Sequence, residues 1–264
     1  MNISWLVRLF VAWLVATAIP LHAKDPTSEQ LAADQHAAQL GKRIYLHDQA
    51  AWHGTDALFE LIEAKDHPEL RGYLTEERPD GLVDIIFYAE YDGALYEFSR
   101  HTVDGSKVAG GAVNAEPRDY PLSPLLTRQV AARDAALSRA QAEKVGLCTD
   151  ASPNFVVLPP DADDLVSVYL LSAQVEDEKY PLGGHYLYRV DSTGKVVSSR
   201  NFMNSCMQVP VAGGEVGTGN KLVGFVVSHI LDDHPTEIHY FVARYTRLPI
   251  SVSADGYVWK VSAE

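Results

Sequence analysis

Residues 72–113 read GYLTEERPDGLVDIIFYAEYDGALYEFSRHTVDGSKVAGGAV. Apolar and polar residues alternate through GYLTEE, LVDIIFYAEY, ALYEFSRHTV and SKVAGGAV, and PDG, YDG and VDG separate these segments. Period-two alternation sends successive side chains to opposite faces, and Asp-Gly pairs favour the tight turns of hairpins. The stretch therefore predicts four strands of an antiparallel meander. NAEPRDYPLSP follows, and its three prolines cannot continue a ladder.

Working outward, residues 28–64 place Leu31, Ala38, Leu40, Ile44, Tyr45, Ala51, Trp52, Leu58, Leu61 and Ile62 at three- and four-residue steps. That is helical periodicity, expected in two pieces because Gly41 and Gly54 interrupt it. Downstream, LTRQVAARDAALSRAQAEKVG holds good helix formers and no internal Gly or Pro, so a second helix is expected with its stop at Gly146. Strand patterns then recur in NFVVLP, LVSVYLLSAQ, GHYLYRVD and KVVSSRNF. After the Gly-rich bridge VAGGEVGTGN they return in LVGFVVSHIL, EIHYFVARY, LPISVS and YVWKVS. The order helix, sheet, helix, sheet is that of an α+β protein made of two consecutive helix-plus-antiparallel-sheet units, 24–118 and 119–264. One sheet continuous through both halves is the competing architecture.

The chain has 264 residues, 47% hydrophobic and 22% charged, a composition that excludes wholesale disorder. Its formal net charge of −13 would repel a nucleic-acid backbone, so no nucleic-acid partner is expected. Residues 1–23 combine Arg8, an apolar run from Leu9 to Ile19 and the small Ala23 before Lys24, the pattern of a cleaved signal peptide. The expected destination is the periplasm or the exterior, with no stable membrane insertion after cleavage. In that oxidising setting the only two cysteines, Cys148 and Cys206, read as one disulfide.

His229, His234 and His239 recur at five-residue steps in SHILDDHPTEIH, with Glu237 among them, forming the densest group of metal-ligand types in the chain. On a strand, Glu237 and His239 would share a face. The spacing matches no established zinc motif, so the reading is a polar turn beside packed histidines, with no metal. There is no G-x-S-x-G elbow, and GGEVGTGN lacks the lysine and following helix of a phosphate loop, so no cofactor is expected. Asp84, Glu90, Asp177 and Glu178 read as solvated surface charge rather than a glycosidase pair. Trp52, His53 and Asp56 lie one turn apart on the first helix, Trp52 being expected as a core anchor. Tyr169, Tyr186, Tyr188, Tyr240, Phe241, Tyr257 and Trp259 are expected on strands of the second half, where an aromatic binding face would sit.

The segment from the second helix through HYLYRVDSTGKVVSSR resembles PepSY-type domains, small exported α+β modules with a helix, a tyrosine-rich strand, a Val-Asp and a Gly-Lys-Val turn. The matching residues are Tyr186, Tyr188, Val190, Asp191, Gly194, Lys195 and Val196. More broadly, the chain is similar to exported proteobacterial proteins in which an A-W-x-x-T-D helix, here Ala51, Trp52, Thr55 and Asp56, precedes a strand-rich half. The resemblance implies a compartment and a binding role, inhibitor- or chaperone-like, and no catalytic residue. The leading expectation is thus a non-catalytic accessory protein that binds a protein or a cell-envelope component, through residues drawn from Trp52, Asp56, Tyr186, Tyr188, His229, Glu237 and His239. A hydrolase using the region from His229 to His239, with or without metal, and a small-ligand carrier are the alternatives.

Overall fold

A computed structural model describes residues 25–212 and 222–264. The proposed leader at 1–23 and the glycine-rich stretch 213–220 lie outside the described residues. In chain order the elements are α1 (Ser28–Phe59), β1 (Leu70–Glu77), β2 (Val83–Tyr91), β3 (Ala94–Asp104), β4 (Lys107–Val113), α2 (Pro124–Glu143), β5 (Asn154–Leu158), β6 (Val166–Leu171), β7 (Lys179–Leu182), β8 (Tyr186–Val190), β9 (Val196–Asn201), β10 (Met207–Pro210), β11 (Phe225–Ser228), α3 (Glu237–Thr246), β12 (Ile250–Ala254) and β13 (Tyr257–Val261). The fold is α+β, and among the described residues the strands form four sheets, ordered β1-β2-β3-β4, β5-β6-β8-β9, β10-β7 and β11-β12-β13. Among the described residues no helix is long and apolar enough to cross a membrane.

The meander forms as its alternation predicts, with antiparallel neighbours throughout. Asp92 and Gly93, both at positive φ, make the tight turn between β2 and β3. Every residue of β2 from Val83 to Ala89 is buried, so both faces of this strand are covered. Ile85, Phe87 and Ala89 pack with Ala51 and Leu58 of α1. Ile86 and Tyr88, on the other face, join Leu126 and Val130 of α2 and Val157, Val168 and Leu170 of the second sheet. The opposite face of that sheet, through Val156, Tyr169 and Leu171, meets Ala37 and Ile44 of α1 and Ile238, Phe241 and Val242 of α3. Both helix-plus-sheet units therefore draw on α1 for their cores.

The expected break in the first helix does not occur: α1 runs unbroken for 32 residues from a capping box at Thr27 and Gln30. Gly41 and Gly54 are points of close approach instead. A methyl group at Gly41 would meet Tyr240 Cβ and the Glu237 carbonyl of α3, and one at Gly54 would meet Ile85 of β2. Each glycine costs about 1 kcal/mol of helix propensity and lets a neighbouring element dock. The second helix also ends earlier than expected, at Glu143, with Lys144 in the left-handed conformation as its cap.

EIHYFVARY is the larger departure, because it forms α3 and not a strand. Its β-branched and aromatic residues suit a strand, yet Ile238, Phe241, Val242 and Tyr245 also fit helical spacing and pack on the core. His239 Nδ1 accepts the Thr236 backbone N–H at 3.0 Å, the role a Glu or Gln plays in a capping box. Tyr240 and Phe241 are accordingly helical. The short strands β7 and β10, which pair with each other, were not among the expected elements.

Cys148 and Cys206 form the expected disulfide, closing a separation of 58 residues with Cα atoms 5.3 Å apart. On the chain-entropy argument such a link contributes about 4 kcal/mol at most.

Gly41→Ala is expected to destabilise the protein by about 1–3 kcal/mol in urea unfolding, through collision with α3. Gly110→Ala, on β4 with nothing within 4 Å of the added methyl, is the control and should fall within about 0.5 kcal/mol of the parent.

Candidate functional site

The structure distributes the residues singled out from sequence over two concavities and the core. Tyr188 is fully buried on β8, and its hydroxyl donates to Glu143 at 3.4 Å. Tyr186 hydroxyl donates to the Gly146 carbonyl at 2.8 Å, holding the chain beyond α2. Neither joins a continuous aromatic face. Glu237 is turned to the core, where its Oε1 accepts the Tyr169 hydroxyl at 3.1 Å. His234 pairs with Asp233 at 2.6 Å. His229 and His239 do meet, with ring centroids 4.7 Å apart and planes nearly perpendicular. The three histidines and Glu237 thus do not converge, and among the described residues no three His, Cys, Asp or Glu side chains are grouped to hold a metal ion.

The first concavity is a groove of about 430 Å3 between the end of the β7–β10 ribbon and β11. Leu182, Met203, Met207, Val226, Ile230 and Leu231 line it, and His229 and His239 also border it. His229 Nε2 lies 2.8 Å from Asp232 Oδ2, which also accepts from Arg200 at 2.8 Å. Burial alone would raise the Asp232 carboxyl, but these partners outweigh it and hold it below the usual carboxylate range. Burial pushes the His239 imidazole down to about 3, so the ring is neutral. Because its Nδ1 accepts from Thr236, its proton sits on Nε2, a buried donor with no partner among the described residues.

β11 itself is an edge. Among the described residues it pairs in parallel with β12 alone. The Phe225 N–H donates to the Pro249 carbonyl at 3.2 Å and the His229 N–H to the Ser253 carbonyl at 2.9 Å. Alternation along the strand therefore turns the N–H and C=O groups of Val226 and Ser228 away from β12, into the open edge. Val226 is 71% exposed and Ile230 86%, so an unpaired backbone row stands beside exposed apolar side chains.

The second concavity, also about 430 Å3, lies along the flank of α1. Asp48, Ala51, Trp52, Thr55 and Asp56 recur at helical spacing on one wall. Tyr73 of β1, Asn154 of β5, Gln174 and Asp177 from the segment after β6, and Tyr245 of α3 complete it. Trp52 is not the expected core anchor; it is 49% exposed at the mouth and stacks on His53 at 4.9 Å. Tyr245 hydroxyl donates to Gln174 Oε1 at 2.8 Å.

Asp48, only 3% exposed, went unnoticed in the sequence. The Asn154 amide donates to its Oδ1 at 3.1 Å, and the Gln49 side chain also bonds to it. No Lys, Arg or His forms an ion pair with it among the described residues. Burial pushes its carboxyl up to about 6, beyond what these two hydrogen bonds offset. The signal was its position: Ala37, Gly41, Ile44, Asp48, Ala51 and Leu58 make one buried helical stripe, and Asp48 is its single carboxylate.

No protein-family model matches the chain, and no curated protein is significantly similar to it.

A folded-state pKa above the unfolded one means that protonated Asp48 favours folding. Its ionisation erodes stability as pH rises from about 4 to about 6, and the loss is complete above that. Asp48→Asn is therefore expected to stabilise the protein at pH 7.5 by up to about 3 kcal/mol, with the gain vanishing near pH 4. Thermal unfolding of both proteins across that range measures it, and equal Tm differences at both ends would refute the assignment.

Proposed function

We propose that the protein is a non-catalytic binding protein working outside the cytoplasm, and that the groove beside β11 takes an extended, apolar segment of a protein partner as an added strand. The observation that carries this reading is the free edge of β11. Its outward N–H and C=O groups on Val226 and Ser228, at two-residue spacing, are a template that an extended backbone can pair with. Val226, Ile230 and Leu231 offer the apolar surface against which alternate side chains of such a strand would pack. The unpaired His239 Nε2–H is a donor for one partner carbonyl.

The compartment rests on the disulfide, which persists in oxidising surroundings, together with the leader pattern of residues 1–23. A binding role also agrees with the PepSY-like stretch, whose matching residues form the β8–β9 hairpin. An inhibitor and a chaperone-like protein both use such capture of an exposed strand.

Val226→Pro tests the groove cleanly, because an edge residue whose N–H points outward tolerates proline while losing its donor. Peptides selected from a random displayed library on the parent protein should alternate apolar residues and lack internal proline. Their affinity, read by fluorescence anisotropy, should fall at least about tenfold in Val226→Pro, with Tm changed little. Ile230→Glu should weaken them as well. Failure to select any peptide, or equal binding to both variants and parent, would overturn the assignment.

A further inference from the structure

We propose that the cleft along α1 is a binding site for a small organic ammonium ion, whose N–H groups meet the Asp48 carboxylate and whose apolar body lies against Trp52 and Tyr245. The cleft shares no lining residue with the β11 groove, so this inference stands apart from the strand-capture reading.

The first argument is the uncompensated charge. A carboxylate accepts up to about four hydrogen bonds. Asp48 has the amides of Asn154 and Gln49 and no cation among the described residues. A buried carboxylate without a countercharge is an expensive feature to keep on an otherwise apolar helix stripe, where Leu or Ala would pack without penalty. It is explained if the missing charge arrives with a ligand.

The second argument is the character of the walls. Among the described residues the charged side chains lining the cleft are Asp48, Asp56 and Asp177, with no Lys, Arg or His. An anion would be repelled at all three. Trp52, Tyr73 and Tyr245 supply aromatic surface, and ring faces attract an ammonium group. Trp52 leaves half its surface open at the mouth, where an apolar ligand body would cover it. A cavity of about 430 Å3 suits a small molecule and not a folded partner.

The third argument concerns protons. The titratable groups near enough to feel the Asp48 charge are Tyr45 on α1, Tyr73 on β1, Tyr180 on β7 and Tyr245 on α3, and burial pushes every one of these phenols further up from neutrality. Asp56 and Asp177 line the same cleft, and His53 stacks on Trp52. An ammonium ion bound against Asp48 must therefore draw the carboxyl down from about 6 and release its proton.

The experiment uses phenethylammonium and butylammonium as probes at 0.15 M salt, followed by calorimetry and by Trp fluorescence. Both should bind the parent protein at pH 7.5, and affinity should fall about tenfold between pH 7.5 and pH 5 as Asp48 takes up its proton. At pH 6, titrations in two buffers of different ionisation heat should show net proton release. Asp48→Asn, which keeps shape and hydrogen bonding, should lose at least about tenfold in affinity. Trp52→Leu, an exposed position whose change leaves the fold intact, should lose about two- to fivefold. The inference is overturned if neither amine binds, if neutral 2-phenylethanol binds as well as phenethylammonium, if Asp48→Asn binds like the parent, or if binding at pH 6 releases no proton.

Discussion

The architecture depends on two close approaches to one helix. α1 is a single helix because Gly41 allows the backbone of α3 to touch it and Gly54 allows Ile85 of β2 to do the same. Its first half covers the second sheet together with α3, and its second half covers the meander. Without those two contacts the apolar stripe of α1 would stand off both neighbours by the width of a side chain, and dispersion contacts are largely lost at such a gap. The helix is thus the element through which the two helix-plus-sheet units become one packed body. The same constraint places both concavities, since α3 docks on α1 with His239 beside one and Tyr245 beside the other.

That position gives α1 a second consequence. Where the stripe is sealed, its residues are Ala37, Ile44 and Leu58; where α3, β1 and β5 diverge from it, the stripe carries Asp48. A carboxylate tolerates that place only because Asn154 and Gln49 hydrogen-bond to it and a cleft opens beside it. The polar exception in an apolar pattern therefore marks where close packing gives way to a cleft.

Much of this was legible in the sequence. The meander, the hairpin of β8 and β9, the second helix and the cysteine pair all rest on local signals, namely alternation, Asp-Gly or Ser-Thr-Gly turns, and an even cysteine count. Helix α3 was not legible, because ten residues rich in Ile, Tyr, Phe and Val satisfy either period, and tertiary packing against Gly41 decides between them. Trp52 was read as a core anchor from its size, whereas its place on α1 faces the divergence of the neighbouring elements. Asp48 was missed for a different reason. A charged residue inside a helix reads as surface until the buried stripe is traced through it from both sides. The β11 edge depends on which strands lie next to it, and pairing order is not a property of any one segment.

The disulfide joins these threads, because it does more than shorten the unfolded chain. Cys206 sits between Ser205 and Met207, both on the wall of the β11 groove, and Cys148 is held in turn by its N–H bond to Ser172 Oγ at 2.9 Å. Gly183 and Gly184 leave room for that crossing: a methyl at either would run into Ser205 or Cys148. β10 is only four residues long and among the described residues pairs with β7 alone, too little hydrogen bonding to hold a wall by itself. The covalent link ties the start of β10 to the segment after α2, so the groove keeps its width through a bond that an oxidising compartment preserves and a reducing one does not. The width of the β11 groove and the preference for an oxidising environment are in this way tied to the same two sulfur atoms.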